Sequence, residues 1–168
     1  QRENRATQAP KFLVACHLRY SKGIQDLIQA VALLPENVLS DLKIDIYGEG
    51  DYQTTLEQLI KQYKLERHFV FKGSVPNLYA IYHQYDYLLQ PTHMECFSLA
   101  ILESLSANVP VVTTPVGGNE EVIKNGSNGF KSGTKICKTS VDCLTTQPNN
   151  SNKITEGIFV FDEVTVKK

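Results

Sequence analysis

Five short apolar runs alternate along this chain with stretches whose apolar side chains recur every three or four positions. The runs are Lys11 to Cys16, Leu42 to Tyr47, Phe69 to Phe71, Tyr87 to Gln90 and Val109 to Thr113. Their length and their aliphatic and aromatic content predict strands. Between the first two, Ile24, Leu27, Ile28, Val31 and Leu34 make one helical stripe that should stop at Pro35. Leu56, Leu59, Ile60 and Tyr63 line a second helix. Leu78, Ile81 and Tyr82 line a third, with Pro76 suited to its first turn. Phe97 to Ala107 forms a fourth without internal Gly or Pro, and Glu121, Val122 and Ile123 a short fifth closed by Gly126. Strands alternating with helices predict an α/β, Rossmann-like fold: a parallel sheet with helices on both faces. Ligands of such sheets bind beyond the C-terminal strand ends, where the strand order reverses.

The alternation assigns residues 11–130 to one domain. Residues 1–10 open with Gln1, Arg2 and Glu3 rather than Met, and read as a linker from a missing N-terminal domain. From about Lys131 the rhythm fails, so 131–168 reads as a divergent, partly disordered tail. Within it, Asn149 to Asn152 reads as an exposed turn and Ile158 to Phe161 as an added strand. At 168 residues, 42% hydrophobic and 21% charged, the chain is long enough for a real core. A net charge of −1 gives no basis for binding nucleic acid or an anionic surface. No apolar run approaches the roughly 20 residues of a membrane span, and no signal peptide opens the sequence. Cys16, Cys96, Cys137 and Cys143 lack metal-ligand spacing and read as reduced thiols of a cytoplasmic protein. Pairing of Cys137 with Cys143 is the alternative.

The residues that carry chemistry follow the strands. Glu95 and Glu103 stand eight positions apart, one just ahead of the fourth helix and one inside it. A helix opening near Phe97 aims backbone N–H groups past the strand end, an arrangement that favours phosphate. The two carboxylates would bracket that anion site at up to about 12 Å. A nucleoside diphosphate with a sugar at one end and a ribose at the other suits such a layout. An acidic residue on the helix dipole plus a solvated Glu is the plain alternative. Lys22 and Gly23 sit at the mouth of the first helix, where a cation and free N–H groups can meet a phosphate together. His17 and Arg19 would add donors there, whereas a merely solvated lysine is the other reading. No glycine-rich run precedes Lys22, so the segment is not a P-loop. Gly48 and Gly50 make a tight turn that lets backbone approach a ligand. Gly117 and Gly118 serve either as turn residues or as a backbone wall over a ligand. His93 is either a surface residue or a hydrogen-bonding partner of substrate. Neither a Ser-His-Asp order nor a metal-ligand cluster stands out. The chain is suited to holding and polarising a leaving group.

In order, these residues resemble the C-terminal donor-binding domain of retaining GT-B glycosyltransferases, the glycosyl transferases group 1 family. The matching pieces are Lys22 with Gly23, Tyr47 to Gly50, Phe71 to Gly73, Gln90 to Thr92, Glu95 to Glu103, Asn108 to Val112, and Gly117 and Gly118 with Glu121. They run from about Lys11 to Gly129. The resemblance implies one half of a GT-B fold whose substrate is a nucleotide sugar, with no metal or other cofactor. UDP, GDP and ADP are not distinguished. It implies that Glu95 contacts the sugar hydroxyls, Glu103 the ribose, and Lys22 the diphosphate as the leaving nucleotide gains charge. It gives the backbone of Phe97, Ser98 and Leu99 to the same phosphates and the stretch from Gly73 to Asn77 to the base.

An acceptor glycan or glycolipid would bind through the missing N-terminal domain, so this chain alone should bind donor but transfer little. Peripheral membrane association would belong to the full-length enzyme, in the service of polysaccharide or glycolipid synthesis. The sequence departs from the family where an arginine five places before the lysine is replaced by His17, with Arg19 displaced by two. Cys96 and Ser98 stand where loop glycines are usual. A nucleotide-sugar epimerase or phosphorylase on the same architecture is a second reading. A flavodoxin-like interaction module is a third, ranked last because the acidic cluster and lysine of receiver domains are missing.

Overall fold

The computed structural model describes residues 9–132. Cys137, Cys143 and the strand expected at 158–161 lie outside them. Six parallel strands form one sheet: β1 (Lys11–Ala15), β2 (Lys43–Tyr47), β3 (Phe69–Gly73), β4 (Tyr87–Gln90), β5 (Val111–Thr113) and β6 (Gly129–Lys131). Their spatial order is β3-β2-β1-β4-β5-β6. The chain therefore builds outward from β1 to one edge, returns to the middle, and builds outward again from β4. The order reverses between β1 and β4, which pair through Phe12 with Tyr87 and Leu13 with Leu88.

Alternate residues of the central strands point to opposite faces, and each face has its own core. Phe12, Val14, Ile44, Ile46, Leu89 and Val112 pack with α1 (Ile24–Ala32) and α3 (Gln53–Gln62). Leu13, Ala15, Leu88 and Val111 pack with Tyr82, Tyr85 and Ile101, the last from α4 (Leu99–Ser106). The predicted sheet with helices on both faces is what forms. All five residues of the predicted first stripe, Ile24 through Leu34, are at most 5% exposed.

Several boundaries differ from expectation. The fourth helix opens at Leu99 rather than Phe97, because Ser98 takes an extended conformation and caps it. The strand expected from Val109 starts at Val111. Tyr63 ends α3 in the cap position and is 40% exposed, so it does not line the helix face. Leu78–Gln84 is a 3-10 helix, and Pro76 lies ahead of its cap residue Asn77. Two elements carry too few residues to show a period: α2 (Glu36–Leu39) and β6. The sheet also runs through Lys131, just past the predicted boundary at 130. α5 (Asn119–Val122) closes the crossover from β5 to β6.

Leu88, with no exposure, and Leu33, 74% exposed at the end of α1, should respond very differently to truncation. Urea unfolding of Leu88→Ala should show a loss of about 2–5 kcal/mol, and Leu33→Ala a change within about 0.5 kcal/mol.

Candidate active site

Because all strands are parallel, the segments leaving β1, β2, β3, β4 and β5 gather along one edge of the sheet. They are joined there by backbone contacts that leave no room for a side chain. Gly23, at φ +68°, lies where an added Cβ would be 1.7 Å from the carbonyl of Pro91. This contact ties the start of α1 to the segment after β4, and His93 N–H donates to the Ser21 carbonyl at 2.8 Å beside it. The turn after β2 is seated likewise on the segment after β1. A Cβ on Gly48 or Gly50 would lie 1.9 Å from the Cys16 carbonyl or 2.2 Å from that of Leu18. Gly48 N–H donates to the Gly73 carbonyl at 2.9 Å, and Ser74 N–H to Glu49 Oε1 at 3.3 Å, which adds the segment after β3.

On the other side, Gly117 at φ +51° would place a Cβ 1.8 Å from the carbonyl of Glu95. Gly118 donates its N–H to the Cys96 carbonyl at 3.0 Å, and its missing side chain leaves space for the ring of Phe97. The glycine pair packs its backbone onto the segment that carries Glu95, with Gly117 in the left-handed conformation of a turn. The hydroxyl of Thr114 donates to the Thr92 carbonyl and fastens the segments after β5 and β4 once more.

Lys22 ends a 3-10 turn (Tyr20–Lys22) in the segment after β1. Its Nζ lies 2.7 Å from Glu95 Oε2, in the segment after β4, so the ion pair spans the place where the strand order reverses. Its two side chains are 21% and 15% exposed. Gln90, the last residue of β4, is buried and donates through Nε2 to Ser98 Oγ at 2.6 Å. The same nitrogen lies 3.5 Å from Glu95 Oε2. Ser98 Oγ also accepts from Ile101 N–H at 3.4 Å, which caps α4. The N–H groups of Leu99 and Ala100, at the first positions of the helix, are left without intrahelical partners. Phe97 precedes the cap, so its backbone belongs to the loop and not to the helix start.

Glu103 sits on α4, half-buried, with the Tyr82 hydroxyl 3.5 Å from its Oε2. The same hydroxyl donates to the Ala100 carbonyl at 3.3 Å. His17 and Arg19 are exposed in the segment after β1. Phe97 and Leu99 are exposed at 51% and 71% on either side of the buried Ser98. His93 is engaged within the protein: its Nε2 lies 2.6 Å from Asp26 Oδ2 of α1 and its ring meets Tyr20 edge-on. The sequence reading missed Gln90, Tyr82 and Asp26 as residues that orient this edge. An amide ending the otherwise apolar run Tyr87 to Leu89 was the available signal, since a buried amide needs a partner.

Cys16, immediately after β1, has its thiol pushed up from an ordinary 9.0 to about 12. Burial is the main cause; Lys22 opposes it and Glu95 adds to it. Burial also raises the phenols of Tyr82, helped by Glu103, and of Tyr85, helped by Tyr47 and Asp45. Among the described residues no three His, Cys, Asp or Glu side chains are grouped to hold a metal ion. Nor is any of their helices long and apolar enough to cross a membrane.

Strand order and edge together define a doubly wound α/β domain whose polar side chains converge at the switch between β1 and β4. Residues 1–137 match the family model described as glycosyl transferases group 1, and the chain belongs to that family. N-acetyl-α-D-glucosaminyl L-malate synthase of Bacillus anthracis is 31% identical over 131 residues, 77% of this chain and 34% of that enzyme. The Anabaena protein HepE, solved in complex with UDP-glucose, superposes with TM-score 0.73 at 23% identity, over 83% of this chain and 38% of that one. The C-terminal domain of the group 1 family protein LpcC from Francisella tularensis gives TM-score 0.66 at 24% identity, over 83% of this chain and 78% of that one. At these identities the structural likeness is one of fold, a Rossmann-like α/β domain like those of its GT-B glycosyltransferase neighbours. The chain spans about a quarter to a third of the length of the curated relatives it matches.

Gly117→Ala should cost more stability than Gly126→Ala. Both glycines have positive φ, but nothing lies within 4 Å of a Cβ on Gly126. In urea, Gly126→Ala should lose about 1 kcal/mol for the left-handed backbone alone. Gly117→Ala should lose at least twice that. Alkaline pH should also weaken the fold. Cys16 keeps its proton up to about 12, whereas the unfolded chain releases it near 9.0. Between those values the unfolded state binds fewer protons, so stability present below 9 falls as pH rises. Melting temperatures should drop across that interval, and Cys16→Ser should flatten the drop.

Proposed function

We propose that this chain is the donor-binding half of a retaining GT-B glycosyltransferase, corresponding to the C-terminal domain of longer family members. One observation carries the reading: a lysine and a glutamate from segments flanking the switch point meet beside the N-terminus of a serine-capped helix. This is where doubly wound sheets bind ligands, and the three parts suit a nucleoside diphosphate sugar.

In the proposed complex the diphosphate takes the ammonium of Lys22 and the first N–H groups of α4, with His17 and Arg19 nearby. Charge accumulates on the β-phosphate as the glycosidic bond breaks, and a fixed ammonium there lowers the barrier. Glu95 accepts hydrogen bonds from the sugar hydroxyls. Glu103, held by Tyr82, accepts from the ribose, and the segment from Gly73 to Asn77 flanks the base. The glycosyl group passes to its acceptor with retention of configuration and without a metal or other cofactor. The acceptor, a glycan or glycolipid, is bound by a second domain, so the chain alone binds donor and transfers little. The full-length enzyme is cytoplasmic, associates peripherally with membrane and serves polysaccharide or glycolipid synthesis. HepE was solved with UDP-glucose, which makes UDP the first base to try.

Calorimetry with UDP, GDP and ADP tests the reading. One of them should bind, and Lys22→Ala and Glu103→Ala should each weaken it at least about five-fold, the size of one charged contact or hydrogen bond. At a hundred times its dissociation constant the ligand should add about 2.7 kcal/mol to stability, visible as a thermal shift. Absence of binding at millimolar nucleotide would overturn the reading.

A further inference from the structure

The pairing of Lys22 with Glu95 sets the two proposed tasks of the site against each other. On the functional reading above, on which this inference rests, Lys22 belongs to the diphosphate and Glu95 to the sugar. In the chain itself each is the other's partner, Nζ to Oε2 at 2.7 Å, with both side chains largely withdrawn from water. The backbone of Glu95 packs against Gly117, with no room for a Cβ between them, so the adjustment considered is a rotation of its side chain.

A diphosphate arriving at Lys22 therefore meets a carboxylate already in place. It must share the ammonium with that anion or displace it. Once displaced, Glu95 keeps one long contact, from Gln90 Nε2 at 3.5 Å. A partly buried carboxylate left so poorly partnered is costly. A nucleoside diphosphate without sugar brings no donor to compensate, and its terminal phosphate adds negative charge beside the carboxylate. A sugar on that phosphate removes one charge and offers hydroxyl donors in place of the ammonium.

We infer that Glu95 is an internal counterion that discriminates sugar-loaded from sugar-free nucleotide. Its pairing with Lys22 weakens the hold on a bare nucleoside diphosphate and is relieved when a sugar supplies replacement hydrogen bonds. After transfer, the carboxylate loses its hydroxyl partners and reclaims Lys22, which eases departure of the spent nucleotide. Glu95 thereby acts in specificity and product release as well as in holding the sugar.

Calorimetric binding of UDP, GDP, ADP and their glucose conjugates to the full 168-residue chain provides the test. For the base that binds, the unmodified chain should prefer the sugar conjugate over the diphosphate by about three- to ten-fold, the span of a partly exposed ion pair. Glu95→Gln keeps the shape and an acceptor for Lys22 but removes the charge. It should tighten the bare diphosphate by a similar factor and leave the conjugate unchanged or weaker, so that the preference disappears. In a Lys22→Met background the same substitution should tighten the diphosphate clearly less, since only the direct repulsion between carboxylate and phosphate is then relieved, and equal tightening in both backgrounds would overturn the role of the ion pair. A folded Glu95→Gln chain that binds the bare diphosphate no more tightly overturns the inference while leaving the nucleotide site standing. No binding of any of the six probes overturns both. Should Glu95→Gln not melt cooperatively, the unmodified chain decides, and equal affinity for diphosphate and conjugate overturns the inference.

Discussion

Contact of main chain against main chain, across the ends of neighbouring parallel strands, is the constraint on which this molecule depends. Parallel strands about 4.8 Å apart deliver all their exits to one edge, where side chains compete for space. The competition is removed where it matters most, at the switch point. Gly23 lets α1 begin directly against the Pro91 carbonyl, and Gly117 lets the segment after β5 rest on the Glu95 carbonyl. A Cβ at either position would push the segments apart. The ammonium of Lys22 reaches Glu95 because these contacts hold their backbones close.

Two polar arrangements in the fold illustrate different uses of burial. Tyr47, Tyr85, Asp45 and Lys72 form a chain in which each group finds the next: hydroxyl to hydroxyl at 2.7 Å, hydroxyl to carboxylate at 2.7 Å, ammonium to carboxylate at 3.5 Å. It completes itself and asks nothing of a ligand. The switch edge is less complete, since the buried Oε1 atoms of Gln90 and Gln25 have no hydrogen-bond partner among the described residues. Its ion pair is a poor stability device, because a partly exposed pair contributes little net free energy. Groups arranged with spare hydrogen-bonding capacity are better matched to something that arrives.

The fold was largely legible because its central strands are covered twice. Burial on both faces demands continuous apolar runs, and Phe12 to Ala15 or Tyr87 to Leu89 declare themselves by composition alone. What could not be read was too short or too dependent on a neighbour. β6 has three residues, Gly129 to Lys131, and only pairing with β5 makes it a strand. The spacing of Leu78, Ile81 and Tyr82 fits one turn of either helix type, so it could not tell the 3-10 form from the α form. At the site, Lys22, Glu95, Ser98 and Glu103 were each marked by position after a strand or on the following helix. Their relations were not. Lys22 and Glu95 are 73 positions apart, and Gln90, although part of a matching piece, carried no sign that its amide would orient both Glu95 and Ser98.

The separation between fixed backbone and adjustable side chain gives this edge its character. The carbonyl of Glu95 lies close against Gly117, while among the described residues its carboxylate is held by Lys22 and, at longer range, by Gln90. The helix cap beside it is assigned differently. Ser98 Oγ is committed both to Ile101 N–H and to Gln90, so it stays in place whichever way Glu95 turns. On the proposed reading, the capped end of α4 can thus remain rigid while the neighbouring carboxylate exchanges one set of donors for another. A rigid anion cradle beside a single exchangeable charge responds to what is attached to the anion. Small rotations of one side chain then suffice, and the sheet beneath need not move.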